Sequence, residues 1–233
     1  HMKNLNVVFI HGWLFDSRIW SGLDDEFKGF QSLKLIDLPG YGKNKRLNVN
    51  HKDYCRDIFR DIQNKTIIIA WSYGALLVIR AYQEYIGLDV KIVLINANLD
   101  ISDDDQLLSI KNIDNLISNL KKNKEKAIRN FIFECVKNSN QSKSEFNEII
   151  NKYKMKDFPS SKTLINNLNE MKSFHINKNI AYNSDNILCI NTADDQFIDR
   201  KKCIYSEVVL DELGHIPFIY GNKKIYQSII DFI

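Results

Sequence analysis

The chain has 233 residues, with 44% hydrophobic and 26% charged side chains, a formal net charge of +3, nine glycines, three prolines and four cysteines. That length and apolar content suit one full domain with its own core and argue against disorder. The absence of any apolar run of about 18 residues argues against a membrane span. His1-Met2 reads as an expression remnant, no secretory leader follows it, and Cys55, Cys135, Cys189 and Cys203 form no C-x-x-C pair. Buried thiols in a cytoplasmic protein are the expectation, rather than a disulfide framework or a zinc site.

Six short runs rich in Val, Ile and Leu recur in chain order: Val7 to Ile10, Leu33 to Leu38, Thr66 to Ala70, Lys91 to Ile95, Asn186 to Ile190 and Val208 to Leu213. Near-continuous apolar strands of this length predict a parallel sheet covered on both faces. Four of them run into a glycine cluster, His11-Gly12, Pro39-Gly40-Tyr41-Gly42, Ser72-Tyr73-Gly74 and Gly214-His215-Ile216-Pro217, where the backbone bends or approaches another group closely. Helical patterns over Lys52 to Gln63, Tyr73 to Tyr85 and Asn222 to Ile233 alternate with the strands, as in an open α/β sheet.

Residues 100–182 break that alternation. Four amphipathic patterns follow one another there: Leu107, Ile110, Ile113, Leu116, Ile117 and Leu120; Ala127, Ile128, Phe131 and Cys135; Phe146, Ile149, Ile150 and Tyr153; Leu164, Ile165, Leu168 and Met171. Ser102-x-x-Asp105 and Ser142-x-x-Glu145 read as capping boxes. A four-helix lid, residues 100–182, is therefore expected to interrupt a core made of residues 3–99 and 183–233. The segment is also basic. Lys111 to Lys178 holds 14 Lys and Arg against 7 Asp and Glu, whereas the remainder holds 18 against 22.

The chemistry is expected where buried strand turns sharply into helix, in Ile69-Ala-Trp-Ser-Tyr-Gly-Ala. Ser72 at that corner fits a nucleophile elbow, with Ala70 in place of the first glycine of G-x-S-x-G; the plain alternative is a helix N-cap. A serine hydroxyl needs a positioned base. His51 and His175 lie in polar surroundings that favour the surface, and His11 ends the first strand. His215, after the last strand, is the candidate. The acid belongs after the preceding strand, where Asp194 and Asp195 are adjacent and spacing does not choose between them. His11-Gly12-Trp13 would supply one oxyanion amide, from Trp13, and the residue after the nucleophile, Tyr73, the other. No phosphate-binding glycine motif is present.

This constellation resembles the α/β-hydrolase superfamily and, more narrowly, the pimeloyl-[acyl carrier protein] methyl ester carboxylesterases of biotin synthesis. The resemblance rests on His11-Gly-Trp with Trp20, Asp37-Leu-Pro-Gly-Tyr-Gly, Trp71-Ser72 and Gly214-His-Ile-Pro-Phe-Ile. Departures are Ala70 and Ala75 for glycines, Asn191 for glycine, Ile198 for proline, and no β-hairpin before Val7. Laid on the family's acid motif, the chain has Asp194 at the acid. The resemblance implies an α/β-hydrolase fold and a serine esterase with a Ser72-Asp194-His215 triad, an acyl-enzyme, and neither metal nor cofactor. It further implies substrate contacts from Trp13, Trp71 and Phe131. An acidic acyl carrier protein would be attracted by Lys121, Lys122, Lys124, Lys126 and Arg129, or by Lys152, Lys154 and Lys156; solvated lysine on exposed helix faces is the alternative. No nucleic-acid or membrane partner is expected, and the chain is read as a monomer. Other readings are a short-chain carboxylesterase, a C–C bond hydrolase, a menaquinone-pathway synthase, or a catalytically silent ligand sensor.

Overall fold

The computed structural model describes residues 4–99, 101, 109–175 and 184–233. Six strands, β1 (Asn6–Ile10), β2 (Ser32–Ile36), β3 (Thr66–Trp71), β4 (Val90–Ile95), β5 (Ile187–Thr192) and β6 (Ser206–Leu210), form one sheet in the order β2-β1-β3-β4-β5-β6. Every pair is parallel. The four inner strands are apolar almost throughout and lose nearly all contact with solvent, whereas β2 and β6, at the edges, keep exposed positions. Burial on both faces is why the inner strands show no period-two alternation.

Helices α1 (His51–Arg60), α2 (Tyr73–Tyr82) and α7 (Asn222–Phe232) connect or follow the strands. Between β4 and β5 come α3 (Ile110–Lys122), α4 (Lys124–Val136), α5 (Ser142–Lys152) and α6 (Ser161–Lys172). The four expected helices are all there, and their starts are written in side-chain oxygens. Ser109, Asn123 and Ser160 accept from the backbone N–H of Asn112, Lys126 and Thr163 respectively, satisfying donors that the first helical turn leaves free. Ile113, Ile117 and Leu120 of α3, Ala127, Ile128 and Ile132 of α4, and Leu164, Leu168 and Met171 of α6 face inward.

One expected cap is replaced. Ser142 is already inside α5, after Gln141, and Glu145 does not reach back to it. Instead the carboxyl of Glu145 is buried against the Ser139 hydroxyl, and burial pushes its pKa up. The helix starts one residue earlier than the pattern suggests, at exposed Gln141, and the Glu145 side chain is taken by Ser139. The other expected box, Ser102-x-x-Asp105, Leu107 and both ends of the expected 100–182 boundary lie outside the described residues.

The insertion is bound to the sheet's C-terminal rim through backbone as well as side chains. Cys135 O accepts from His215 N–H at 3.0 Å, Glu134 O accepts from the Gln196 amide at 2.7 Å, and Glu212 O accepts from Asn140 N–H at 3.2 Å. Arg18, following β1, pairs with buried Asp16 and stacks 4.4 Å from the centre of the Tyr153 ring at the end of α5. Cys55, Cys135 and Cys189 are buried, Cys203 is half-buried, and all four are free thiols. Among the described residues no helix is long and apolar enough to cross a membrane.

Candidate active site

Ser72 sits between the last residue of β3 and the first of α2 with φ 52° and ψ −118°. A left-handed backbone at a non-glycine residue costs energy that the surrounding structure must hold. It is held by packing that only small residues permit. An added Cβ on Gly74 would collide with His11 O, and one on Gly12 would come within 3.2 Å of the Ser72 Cβ. Ala70 and Ala75 are both fully buried. Alanine therefore fits where the family pattern has glycine, and the critical close approach falls on Gly74.

His215 lies on the loop after β6, and its Nε2 is 3.1 Å from the Ser72 hydroxyl, which donates to it. The other ring nitrogen, Nδ1, donates to Asp195 Oδ2 at 2.7 Å. Asp195, and not Asp194, is thus the carboxylate at the imidazole. The turn after β5 explains the correction. Ala193 N–H and Asp194 N–H donate to Leu210 O and Leu213 O, and Asp195 N–H closes back on Thr192 O. Asp194 is carried on the half-buried outside of the turn, and the next side chain is delivered inward. There Asp195 Oδ1 accepts from Phe197 N–H at 2.8 Å, so both oxygens are engaged. Asn191, where the family motif has glycine, uses its amide on Glu207 at 2.6 Å.

The His215 loop is fixed by groups that motif reading did not single out. Asn96, buried at the end of β4 with φ 47°, donates to Thr192 Oγ1 at 2.9 Å and to the carbonyls of Gly214 and His215. Thr192 Oγ1 donates to Gly214 O at 2.7 Å. A polar residue closing an otherwise apolar buried strand was the available signal for Asn96, because such a side chain must find partners. Trp71, expected to meet substrate, lies behind the site loop. It is 1% exposed, and its indole N–H donates to His215 O at 2.9 Å while its ring packs on His215 and Phe218. That ring packs against the His215 loop.

Trp13 is buried beside the elbow, donates its indole N–H to Leu164 O of α6 at 3.0 Å, and packs edge-on against Phe131 of α4. Phe131 touches Phe197, whose ring lies 4.7 Å from that of His215. A cleft lined by Phe131, Phe197, Leu116, Asn115, Asn119 and Asn130 opens between α3 and α4 above these rings. His11 is fully buried. Its Nε2 accepts from Leu38 N–H and its Nδ1 faces Gly12 O, so the ring is neutral, and burial lowers its pKa. His51 is another correction: it is buried, with both ring nitrogens bonded, while His175 is exposed as expected. Asp37 of the Asp-Leu-Pro-Gly-Tyr-Gly loop accepts from Ser17 and Lys43 N–H. Burial alone would raise its pKa, but these backbone donors bring it below the usual carboxylate value. Its role is to hold the loop. No group of three or more His, Cys, Asp or Glu among the described residues is arranged to hold a metal ion.

Residues 7–130 match the model of the Alpha/beta hydrolase family. The chain belongs to that family. A pimeloyl-[acyl-carrier protein] methyl ester esterase of Wigglesworthia glossinidia brevipalpis is 26% identical over 98% of this chain and 93% of its own length. Among solved structures, an esterase from Exiguobacterium antarcticum superposes with a TM-score of 0.76 at 14% identity, covering all of this chain and 92% of the other. An alpha/beta hydrolase enzyme from a Medee basin deep-sea metagenome library gives 0.77 at 14% identity, covering all of this chain and 90% of its own. These likenesses are of fold: the shared architecture hosts many reactions.

Proposed function

We propose that this chain is a serine carboxylesterase whose nucleophile is Ser72, with His215 as general base and acid and Asp195 as the carboxylate that orients it. The observation carrying this reading is the single imidazole bonded on one side to a hydroxyl in a strained elbow and on the other to a carboxylate. Ser72 attacks an ester carbonyl as its proton passes to Nε2, and the amides of Trp13 and Tyr73 hold the oxyanion. The Nε2 proton leaves with the alcohol. Water then repeats the sequence on the acyl-enzyme and frees the acid.

Within that class we assign the methyl ester of pimeloyl-[acyl carrier protein] as substrate. The Wigglesworthia relative acts on that compound by its name, and Lys111 to Lys178 carries the basic excess that an acidic carrier would meet. Residues 100–182 are then a lid over the site. Lys121, Lys122, Lys126 and Arg129 are exposed and Lys124 is half-buried, on the end of α3 and the start of α4. Phe131 and the cleft above it would line the path of the acyl arm.

The test compares hydrolysis of the carrier-bound methyl ester with that of free dimethyl pimelate. KM for the carrier substrate should rise about tenfold between about 50 and 500 mM salt, as screening removes long-range attraction. Charge reversal at Lys122, Lys126 and Arg129 together should raise it by a similar factor, with the free diester unaffected. Equal salt response of the two substrates would reject the carrier; absence of turnover on both would reject the esterase.

A further inference from the structure

No C-x-x-C motif ties the four thiols together, yet the fold sets two of them in contact. Cys189, in the middle of β5, is 3% exposed, whereas Cys203 is half-buried on the loop that leads from Asp195 to β6. The Cys189 S–H donates to the Cys203 sulfur. As a thiol, Cys203 donates in turn to Tyr205 O at 3.6 Å; as a thiolate it accepts from the Tyr205 backbone N–H. One sulfur is thus open to solvent and the other is held directly behind it.

The two have unlike surroundings. The hydrogen bond from Cys189 favours charge on Cys203, and with the Tyr205 contact and Arg200 it outweighs partial burial, so the Cys203 pKa falls to about 7. Cys189 moves the other way, well above the usual thiol value, first because it gives its hydrogen to Cys203 and then because it is buried. Two charged groups face the pair. Glu207 of β6, the cross-strand neighbour of Cys189, opposes a thiolate, but its carboxylate is engaged: it accepts from the Asn191 amide at 2.6 Å and lies 3.6 Å from the Arg200 guanidinium. Arg200 favours the thiolate. The remaining cysteines share none of this. Burial pushes Cys55 up to about 12, and burial with Asp195 and Glu134 beside it holds Cys135 well above the usual value.

We propose that Cys203 is a modification site for hydrogen peroxide and that Cys189, in contact behind it, is the thiol that resolves the oxidised sulfur. The inference goes beyond the hydrolase reading and does not depend on it. The Cys203 thiolate attacks one peroxide oxygen, the O–O bond breaks, and the departing hydroxide takes a proton to become water. Sulfur is oxidised to the sulfenic acid as peroxide is reduced. The Cys189 sulfur then attacks Cys203, the S–O bond breaks, and the Cys189 proton leaves with the hydroxide as a second water. The disulfide closes a loop from residue 189 to residue 203, which holds Asp195 and Phe197.

The test uses the wild-type chain first. Alkylation of Cys203 by iodoacetamide, read by peptide mass spectrometry, should reach half its maximal rate at about pH 7, against about 8.5 for free cysteine. Equimolar hydrogen peroxide at about pH 7 should leave the protein lighter by two hydrogen atoms, and dithiothreitol should restore them. Trypsin cuts between the two cysteines at Arg200, Lys201 and Lys202, so the non-reduced digest should contain their peptides joined. In Cys189→Ala the sulfenic acid has no resolving thiol, and dimedone should tag Cys203. Half-maximal alkylation at the free-cysteine pH or above would overturn the proposal. So would peroxide oxidising Cys55 or Cys135 first, or leaving Cys189 and Cys203 unjoined. Should Cys189→Ala fail to fold, the wild-type alkylation profile and digest decide alone. No readout involves turnover, so an inactive esterase with joined peptides would reject the hydrolase reading and leave this site standing.

Discussion

Asp195→Asn is expected to lower kcat on a simple ester by about 10⁴, while Asp194→Asn leaves it within about twofold. Asp195 accepts from His215 Nδ1 at 2.7 Å and from Phe197 N–H at 2.8 Å. An asparagine in that place either loses the Phe197 bond or presents an N–H to Nδ1, and then the proton moves to Nε2, where the ring can no longer accept from Ser72. The fold need not change for the rate to collapse, so a melting curve close to wild type should accompany the loss. Asp194 binds through its backbone N–H to Leu213 O, and its side chain is half-buried on the other side of the turn. Steady-state kinetics of the two variants side by side, with thermal melts, tests the assignment; equal losses would refute it.

Gly74→Ala is the second large effect. Its added Cβ would collide with His11 O, and would come within 2.7 Å of Ile10 O and 3.1 Å of the His11 carbonyl carbon. These are backbone atoms at the end of β1, a strand held in register on both sides by β2 and β3. Neither side can give way cheaply, so overpacking should cost about 3 kcal/mol. The displacement falls between the Ser72 elbow and the His11-Gly12-Trp13 loop. Moving the elbow by about 1 Å from the Trp13 amide proposed to hold the oxyanion should lower kcat about 10²-fold. Gly29, where an added Cβ meets nothing within 4 Å, is the matched control. Urea unfolding of G74A and G29A, with kcat for each, checks both numbers.

Much of this arrangement was legible from one-dimensional pattern. The inner strands are uninterrupted Val, Ile and Leu because both faces are covered, and α3 to α6 carry apolar residues three or four apart because one face is. Ser72 and His215 were legible because chain order, strand ends and glycine clusters restrict where such groups can sit. The acid was not. Asp194 and Asp195 differ only in which side of a four-residue turn they occupy, and that is decided by bonds to Leu210 and Leu213, some twenty residues away. His51 looked like a surface histidine because its neighbours in sequence are polar. Its burial comes from Pro39, Tyr73 and α6 closing over it. Glu145 was misread for the complementary reason, since a local capping pattern lost to a tertiary partner, Ser139. Trp71 was read by its place next to the nucleophile, yet alternation along β3 turns its ring toward the His215 carbonyl instead.

The central claim is that His215 and its carboxylate make one hydroxyl, that of Ser72, a nucleophile. Exposure to a fluorophosphonate followed by mass spectrometry of proteolytic fragments measures this directly. A single adduct on Ser72, absent in His215→Ala, is the predicted result; an unlabelled protein, or an adduct on another residue that persists in that variant, would contradict the account.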